Sequence, residues 1–277
     1  MLAQGLPIPQ NREAAIGMTN AVARAGALPA ITAVVAGTPA VGLTDDELER
    51  FLRREGVRKV SARDLPAAVL KRADGATTVA ASIALASAVG ITVFATGGIG
   101  GVHRDAPYDE SADLAELART PMIVVCAGAK SILDLRATWE RLESMGVPVV
   151  GYRTDELPGF FSAETGIKLD CRVDDVAEIV GLYRAHRALG RMQSIVVVQA
   201  PPAEHALARE RVESAVARAQ MDARRDGITG AAVTPYLLAA VTRLTDGSSL
   251  AANLALLERN ATLAGEIATM YSRAETR

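Results

Sequence analysis

A lysine placed just after an apolar run of the sequence is suited to carbonyl chemistry. Lys130 follows the apolar residues 122–126 after an Ala-Gly-Ala spacer. If that run is a buried strand, the amine is partly desolvated, and desolvation lowers the pKa of an amine. A neutral amine attacks carbonyl carbon and forms an imine. A lysine that extends from a sheet edge into solvent fits the same spacing, so position alone leaves both roles open.

Two carboxylates and a hydroxyl lie close together a little earlier in the chain, at Asp109, Ser111 and Asp113. Hard divalent cations such as Mg²⁺ and Mn²⁺ prefer oxygen ligands of this kind. Capping of a following helix by Ser111 or Asp109 explains the same residues. The segment therefore indicates either a cation site or a helix N-terminus.

Three further features are suited to binding an anionic ligand. The segment Gly97-Gly98-Ile99-Gly100-Gly101 lets backbone approach a ligand closely, but it lacks the spacing of a dinucleotide fingerprint or a P-loop. Thr77-Thr78-Val79 offers hydroxyl and amide groups at a predicted helix start, where they bind an anion or simply cap the helix. Lys59 either holds a phosphate or forms an ion pair.

Composition excludes several classes of protein. The formal net charge is −2 and the basic residues are scattered, which argues against broad binding to nucleic acid. No apolar run approaches the ~20 residues of a membrane-spanning helix. We expect no secretory signal, because no basic n-region is followed by an apolar h-region. Cys126 and Cys171 form neither a disulfide framework nor a CxxC metal site, and Cys126 is expected to be a reduced core thiol. We expect a cytoplasmic protein without nucleic-acid or membrane partners.

Strand-like and helical segments alternate along the chain. This pattern predicts one domain over residues 1–277, an α/β fold with a three-layer α/β/α sandwich around a mostly parallel sheet. Ligands bind at the carboxyl ends of strands in such sheets, so strands at 91–94 and 122–126 bring the glycine segment and Lys130 together. The long irregular stretch 153–172 suggests a functional loop.

Local signals also predict where individual elements begin. Asn11 is suited to cap a first helix, and Thr44-x-x-Glu47 has the pattern of a capping box. Further strands are expected at 30–35 and 57–61. Helices are expected at 131–145 and 203–225.

Nine segments, taken in order, cover nearly the whole chain and resemble the pseudouridine-5′-phosphate glycosidase family, also called the indigoidine synthase A-like family. FATGGIGGVHR and VVCAGAKSILDL are the most specific of them. The others are LPIPQN, KVSARDLP, GATTVAAS, SADLAELA, GVPVVGY, VTPYLLA and SLAANLALLERNA.

The resemblance implies an activity and an assembly. Family members are similar trimeric α/β/α proteins that use a divalent metal, usually Mn²⁺. They interconvert pseudouridine 5′-phosphate with uracil and ribose 5-phosphate. Because the bond is C–C, they open the ribose and hold its C1 as an imine on a lysine, which Lys130 matches. Asp109 matches the metal ligand. The matching substrate-binding positions are Lys59, Val79, Ser111, Ala112 and Asp113, and polar pocket positions are matched by Thr96, His103 and Asn253.

Two departures from the family pattern bear on function. The family has an earlier strand whose glutamate donates a proton; Met1 aligns just after it, and Glu13 does not match it. Gln199 stands where the family usually has an asparagine, which lengthens a polar arm at the expected base-binding end. Two alternatives therefore stand beside the glycosidase. One is C-ribosylation of an aromatic natural-product acceptor with ribose 5-phosphate, and the other is non-catalytic binding of a sugar phosphate.

Overall fold

The computed structural model describes residues 5–104 and 108–275. The helices in this part are α1 (Gln10–Arg24), α2 (Asp45–Arg53), α3 (Leu65–Leu70), α4 (Val79–Ala88), α5 (Ala112–Leu117), α6 (Leu135–Ser144), α7 (Val176–Ala188), α8 (Arg209–Arg225), α9 (Val233–Leu244) and α10 (Ser248–Glu275). The strands are β1 (Thr32–Val35), β2 (Thr38–Val41), β3 (Arg58–Val60), β4 (Gly75–Thr77), β5 (Val93–Ala95), β6 (Val102–His103), β7 (Ile123–Cys126), β8 (Leu133–Asp134), β9 (Val149–Tyr152), β10 (Arg172–Val173) and β11 (Ile195–Val198).

Five strands form a parallel sheet in the order β10-β9-β11-β7-β5. Alternate side chains of a strand face opposite sides of the sheet. Along β7, Ile123 and Val125 pack with residues of α7 and α10, whereas Val124 and Cys126 belong to the core formed with α5, α6 and α8. Both faces are therefore covered by helices, which explains the wholly apolar β7 and β11. The predicted three-layer α/β/α arrangement is confirmed.

The first strands do not join this sheet. They form a second, four-stranded sheet in the order β2-β1-β4-β3, in which β1 is antiparallel to β2 and to β4. Ala36 and Gly37 connect β1 to β2 with φ of 48° and 84°, the positive values of a tight hairpin turn. Because this turn pairs β1 locally, the strand signals at 30–35 and 57–61 belong to a separate sheet with a small core of Val34, Val60 and Ala68.

The capping predictions have different outcomes. Thr44 and Glu47 form the expected capping box: the Glu47 N–H donates to Thr44 Oγ1 at 3.3 Å, and the Thr44 N–H donates to Glu47 Oε2 at 2.9 Å. The prediction for Asn11 is wrong, because α1 begins at Gln10 and Asn11 lies inside it. The buried Asn11 Nδ2 instead donates to the Leu52 carbonyl at 2.8 Å, a tertiary contact that local sequence does not encode.

Two helices begin later than expected. Residues 133–134 form β8, so α6 begins at Leu135, where Asp134 Oδ1 accepts the Ala137 N–H at 2.9 Å. Helix α8 begins at Arg209 after a turn at 203–205. The short strand β8 pairs antiparallel with β6, joining the segment after the glycines to the segment after Lys130.

The remaining composition-based expectations concern thiols and membranes. Cys126 and Cys171 are free, and Cys126 is buried, as expected of a core thiol. Burial raises the pKa of the Cys126 thiol to about 12, so it is a poor nucleophile. Across residues 5–104 and 108–275, none of the helices combines the length and apolarity required to span a bilayer.

Candidate active site

An open cleft of about 1430 Å³ lies at the carboxyl ends of β5 and β7 and reaches the four-stranded sheet. Residues distant in sequence meet in its wall. The predicted site residues found there are Lys59, Val79, Thr96, His103, Asp109, Ser111, Ala112, Asp113, Lys130 and Asn253. The fold thus gathers these ten residues in one place, while their individual roles stay predictions.

Lys130 is held against the glycine segment. Its backbone N–H donates to the Ile99 carbonyl at 3.1 Å, and its Nζ donates to the Gly98 carbonyl at 3.0 Å. Burial lowers the pKa of the Lys130 amine; the nearby Asp113 carboxylate opposes this effect, and the Lys59 ammonium adds to it. A larger fraction of this amine is therefore neutral near pH 7 than for an exposed lysine, as a nucleophile requires.

The lowered pKa of Lys130 predicts a pH-dependent difference between wild type and Lys130→Met. Between the folded-state pKa and the ordinary value of 10.5, the unfolded chain binds more protons, so wild-type stability gains with rising pH. The variant lacks this gain. The free energy of unfolding of Lys130→Met minus that of wild type is therefore largest below the folded-state pKa of Lys130. This difference declines as the pH rises towards 10.5. Urea unfolding of both proteins from pH 7 to 10.5 measures this, and a constant difference would contradict the lowered pKa.

Asp113 joins the glycine segment to helix α4. The carboxylate is 5% exposed, with Oδ1 accepting the Ala80 N–H at 2.9 Å and Oδ2 accepting the Gly100 N–H at 2.7 Å. Both oxygens are thus engaged by backbone amides, and the negative charge lies close enough to Lys130 to affect its pKa. Asp113 therefore supports the site structurally and electrostatically, in addition to lining the cleft.

Helix capping accounts for part of the acidic segment. Ser111 Oγ accepts the Asp113 N–H at 3.2 Å and caps α5, so the capping interpretation is confirmed for this hydroxyl. Ala112 and Asp109 are exposed at the cleft. The Asp109 carbonyl accepts the His103 N–H at 3.0 Å, which keeps the imidazole and the carboxylate on neighbouring backbone segments.

The glycine segment is tightly surrounded. A Cβ on Gly98 would lie 2.7 Å from the Phe160 ring and 3.0 Å from the Gly128 carbonyl. A Cβ on Gly100 would lie 2.2 Å from Ser111 Oγ and 2.8 Å from Asp113 Oδ2. Glycine is required at these positions because protein packs directly against the backbone.

Gly100→Ala is expected to destabilise the protein by about 1–3 kcal/mol, the usual cost of overpacking, and to reduce activity by displacing Ser111 and Asp113. Gly181→Ala is the matched control. Gly181 is exposed in α7 with nothing within 4 Å of a new Cβ, so this change should stabilise by about 0.5–1 kcal/mol. Denaturant unfolding gives the free energy of unfolding of both variants. Equal values would show that the glycine segment adjusts to the new Cβ without cost.

The four-stranded sheet supplies the cationic end of the cleft. Lys59 is exposed on β3 and forms no ion pair with the residues that the structure describes. Thr78 Oγ1 accepts the Ala81 N–H at 3.3 Å and caps α4, which confirms capping at this position. The N–H of Val79, at the first helical position, has no partner inside the helix and is available to an anion.

Asn253 presents an unpaired acceptor. It is 6% exposed on α10, lines the cleft, and its Oδ1 is buried with no hydrogen-bond partner among the described residues. An unpaired buried oxygen costs about 1–3 kcal/mol. Because Oδ1 itself is buried, a ligand hydroxyl reaches it and recovers that free energy only when the side chain turns towards the cleft. Thr96, 5% exposed, contributes a further polar side chain to the same wall.

The described side chains of the cleft could bind a metal ion through only one or two protein ligands. Within the described ranges, His, Cys, Asp and Glu side chains form no group of three or more that is placed to hold a metal ion. Asp109 provides one exposed carboxylate at the cleft. Mg²⁺-like cations are commonly held by one or two carboxylates, with phosphate and water as the other ligands. The chain thus fits a cation that substrate helps to bind.

Sequence reasoning missed two contributors and misplaced a third. Phe160, in the predicted functional loop, is 1% exposed with φ of 70° and lines the cleft; the Phe160-Phe161 pair was its only signal. Asn260 contacts the Thr96 carbonyl at 2.9 Å, and its only signal was its place two turns after Asn253. Gln199 lies outside the cleft wall and bonds to α10, so the expected effect on the base-binding end is not supported.

Comparison with known proteins identifies the family. The family model described as indigoidine synthase A like protein matches residues 1–270. The chain belongs to the indigoidine synthase A-like family. A relative in this family from Gemmatimonas aurantiaca, named pseudouridine-5′-phosphate glycosidase, is 63% identical over 268 residues, which cover 97% of this chain and 88% of the relative. One of the same name from Herpetosiphon aurantiacus is 51% identical over 270 residues, covering 97% and 89%.

Solved structures of family members have the same fold. An indigoidine synthase A-like protein from Thermotoga maritima superposes with a TM-score of 0.91 at 35% identity, covering 97% of this chain and 89% of that one. The prealnumycin C-glycosynthase AlnA, solved in complex with ribulose 5-phosphate, gives a TM-score of 0.90 at 40% identity, covering 95% and 88%. The α/β/α architecture described above is thus that of the family.

Proposed function

We propose that this chain reversibly cleaves the C–C glycosidic bond of pseudouridine 5′-phosphate to give uracil and ribose 5-phosphate. The observation that carries the proposal is the Lys130 amine, partly desolvated and held 3.0 Å from the Gly98 carbonyl in a cleft that also contains Lys59. The relatives that are 63% and 51% identical to this chain carry the name of this activity.

Cleavage of a C–C glycosidic bond requires electrons to be supplied at the sugar carbon as the base leaves with the bonding pair, and the lone pair of the Lys130 amine supplies them. Nζ attacks C1 of the ribose while the C1–O4 bond breaks, and O4 takes up a proton as the ring opens. The base is then protonated at its own C5 atom while the bond between ribose C1 and base C5 breaks. The lone pair of Lys130 Nζ forms the C=N double bond at ribose C1. Water hydrolyses this imine and releases the aldehyde form of ribose 5-phosphate. The Asp113 carboxylate beside Lys130 stabilises the cationic imine.

The polar groups of the cleft match the two ends of an open-chain pentose phosphate. The Lys59 ammonium and the Val79 N–H suit the phosphate. The unpaired Asn253 Oδ1 suits a sugar hydroxyl, with Thr96 and His103 as further polar contacts. The complex of AlnA with ribulose 5-phosphate supports this assignment, because a ketose phosphorylated at O5 cannot close a furanose ring.

A divalent cation, Mn²⁺ or a similar ion, is part of the proposal. Asp109 would hold it at the mouth of the cleft, where an ion of this kind polarises and orients oxygen atoms of the substrate. We also propose a cytoplasmic homotrimer. Light scattering should then give three times the 29.0 kDa mass of one chain.

Borohydride reduction tests the proposed imine directly. The protein is incubated with ribose 5-phosphate and Mn²⁺, reduced, and digested for mass spectrometry. A ribose-phosphate adduct on Lys130 is the expected result, with the exposed Lys71 and Lys168 unmodified as internal controls. Failure to form the adduct in a folded, cation-supplied protein would favour the non-catalytic alternative, binding of a sugar phosphate alone.

A second candidate reaction joins ribose 5-phosphate to a different aromatic carbon acceptor. The 40% identity to a C-glycosynthase over 95% of the chain is the observation that favours this second reaction. Both reactions share the Lys130 adduct, so the acceptor distinguishes them. Product formation from ribose 5-phosphate with uracil supports the glycosidase, whereas product formation only with a larger aromatic acceptor supports C-ribosylation.

A further inference from the structure

Two buried amides connect α10 to the carboxyl ends of the parallel sheet. Asn260 is 0% exposed and Gln199 is 2% exposed. Asn260 Nδ2 donates to the Thr96 carbonyl at 2.9 Å and to the Gly97 carbonyl at 3.4 Å. Its Oδ1 accepts a hydrogen bond from Gln199 Nε2 at 3.0 Å. The asparagine therefore uses both its donor hydrogens and its acceptor inside the protein.

Gln199 fixes the orientation of Asn260. Its Nε2 also donates to the Arg259 carbonyl at 3.2 Å, and its Oε1 accepts from Arg259 Nε at 3.2 Å. Its backbone N–H donates to the Cys126 carbonyl at 3.1 Å, which ties the end of β11 to the end of β7. A fully paired buried network of this kind is rigid, and it holds one amide orientation.

The carbonyls that Asn260 contacts directly precede, along the backbone, the carbonyl that Lys130 contacts. Gly97 is followed by Gly98, whose carbonyl accepts the hydrogen bond from Lys130 Nζ at 3.0 Å. The Gly97 carbonyl also accepts the Ala127 N–H at 2.8 Å, and Ile99 bonds to both Gly128 and Lys130. The glycine segment and the residues before Lys130 are therefore joined by successive hydrogen bonds. We expect a shift of the glycine segment to shift the residues before Lys130 as well.

The same helix carries a cleft residue on the same face. Asn253 precedes Asn260 by two helical turns, and Leu257 between them also lines the cleft. The contact of Asn260 thus joins α10 directly to the segment that leads to Lys130. One buried amide therefore links the helix of Asn253 to the backbone that holds Lys130.

We infer that Asn260, oriented by Gln199, is a positioning residue that sets the place of Lys130 Nζ relative to Asn253 in the cleft. The inference rests on the proposed function for the identity of the reaction, but the placement of the amine is independent of it. Asn260 is sealed from the cleft behind the Thr96 and Gly97 carbonyls, so it acts through the glycine segment.

Asn260→Leu tests the inference, because leucine is similar in size and lacks the amide. Displacement of a reacting group by about 1 Å costs on the order of 100-fold in rate, so a 10- to 100-fold slower formation of the Lys130 adduct is expected, with a fall in kcat larger than the rise in KM. The pH profile of Lys130 labelling by acetic anhydride, measured without substrate, should shift as well. Gln199→Leu, which keeps the bonds to Thr96 and Gly97, should show the same changes to a smaller degree and is the variant to use if Asn260→Leu does not fold.

Ser194→Ala is the matched control for a purely structural loss. Ser194 is also fully buried, and its Oγ donates to the Thr120 carbonyl at 2.6 Å at the opposite end of the sheet. It should lower stability without changing the labelling profile or kcat. If the Asn260 and Gln199 variants behave like Ser194→Ala, the inference is overturned. If wild type forms no adduct while the labelling profiles differ as expected, the proposed reaction fails and the positioning role stands.

Discussion

Lys130→Met is expected to lower kcat for pseudouridine 5′-phosphate cleavage by at least about 1,000-fold, because methionine retains the length of the side chain but has no nucleophile. Ribose 5-phosphate should still bind within a few-fold of wild type, since the Lys59 ammonium and the Asn253 acceptor are unchanged. Steady-state kinetics measures the first quantity, and isothermal titration calorimetry measures the second.

Lys71→Met serves as the control for this result. Lys71 is exposed at the end of α3 and lies outside the cleft wall, so turnover should stay within about twofold of wild type. A Lys130→Met protein that retains activity within tenfold of wild type would exclude the covalent route. A variant that neither turns over nor binds ribose 5-phosphate would instead assign Lys130 a role in holding the ligand.

Asp113→Asn is expected to cost about 3 kcal/mol of folding free energy. An amide cannot accept both the Ala80 N–H and the Gly100 N–H, so one buried donor loses its partner and the other loses a charged acceptor. Removal of the carboxylate also removes the effect that opposes the lowered pKa of Lys130. That pKa should therefore fall further, which labelling of Lys130 as a function of pH detects.

An exposed aspartate provides the comparison for Asp113. Asp155 is largely exposed and pairs with Arg172 at 2.6 Å, so Asp155→Asn should change stability by no more than about 0.5 kcal/mol and leave Lys130 labelling unaltered. Equal effects of the two substitutions would show that the hydrogen bonds from Ala80 and Gly100 to Asp113 contribute little to stability. A rise in the Lys130 pKa after Asp113→Asn would contradict the electrostatic assignment.

Local patterns predicted the central part of the fold and site. Apolar runs at 91–94 and 122–126 identify neighbouring strands, of which β7 is buried as expected whereas β5, at the edge of the sheet, is only half-buried. The rule for parallel sheets then places the glycine segment and Lys130 at the same end of these strands. Capping by Thr78 and by Ser111 was one of the two interpretations of each segment, and it could be recognised locally because a cap depends on the next few residues only. The resemblance to a known family added the residues of the cleft that have no local signature, such as Asn253.

Features that depend on distant contacts were beyond this reasoning. Asn260 and Thr96 are 164 residues apart in sequence, and nothing near either residue indicates their hydrogen bond. Asn11 shows the opposite error, since a strong local capping tendency was overridden by a bond to Leu52, 41 residues away. The separate four-stranded sheet was missed because its hairpin turn is Ala36-Gly37 rather than a commoner Asn-Gly.

The division of the strands between two sheets has a consequence for selectivity. Lys59 lies on β3 of the four-stranded sheet, whereas Lys130 follows β7 of the parallel sheet, and the two sheets have separate hydrophobic cores. If Lys59 binds the phosphate and Lys130 the aldehyde, as proposed, the two ends of the substrate are held by different sheets. We therefore expect the protein to select sugar phosphates by the number of carbons between the aldehyde and the phosphate.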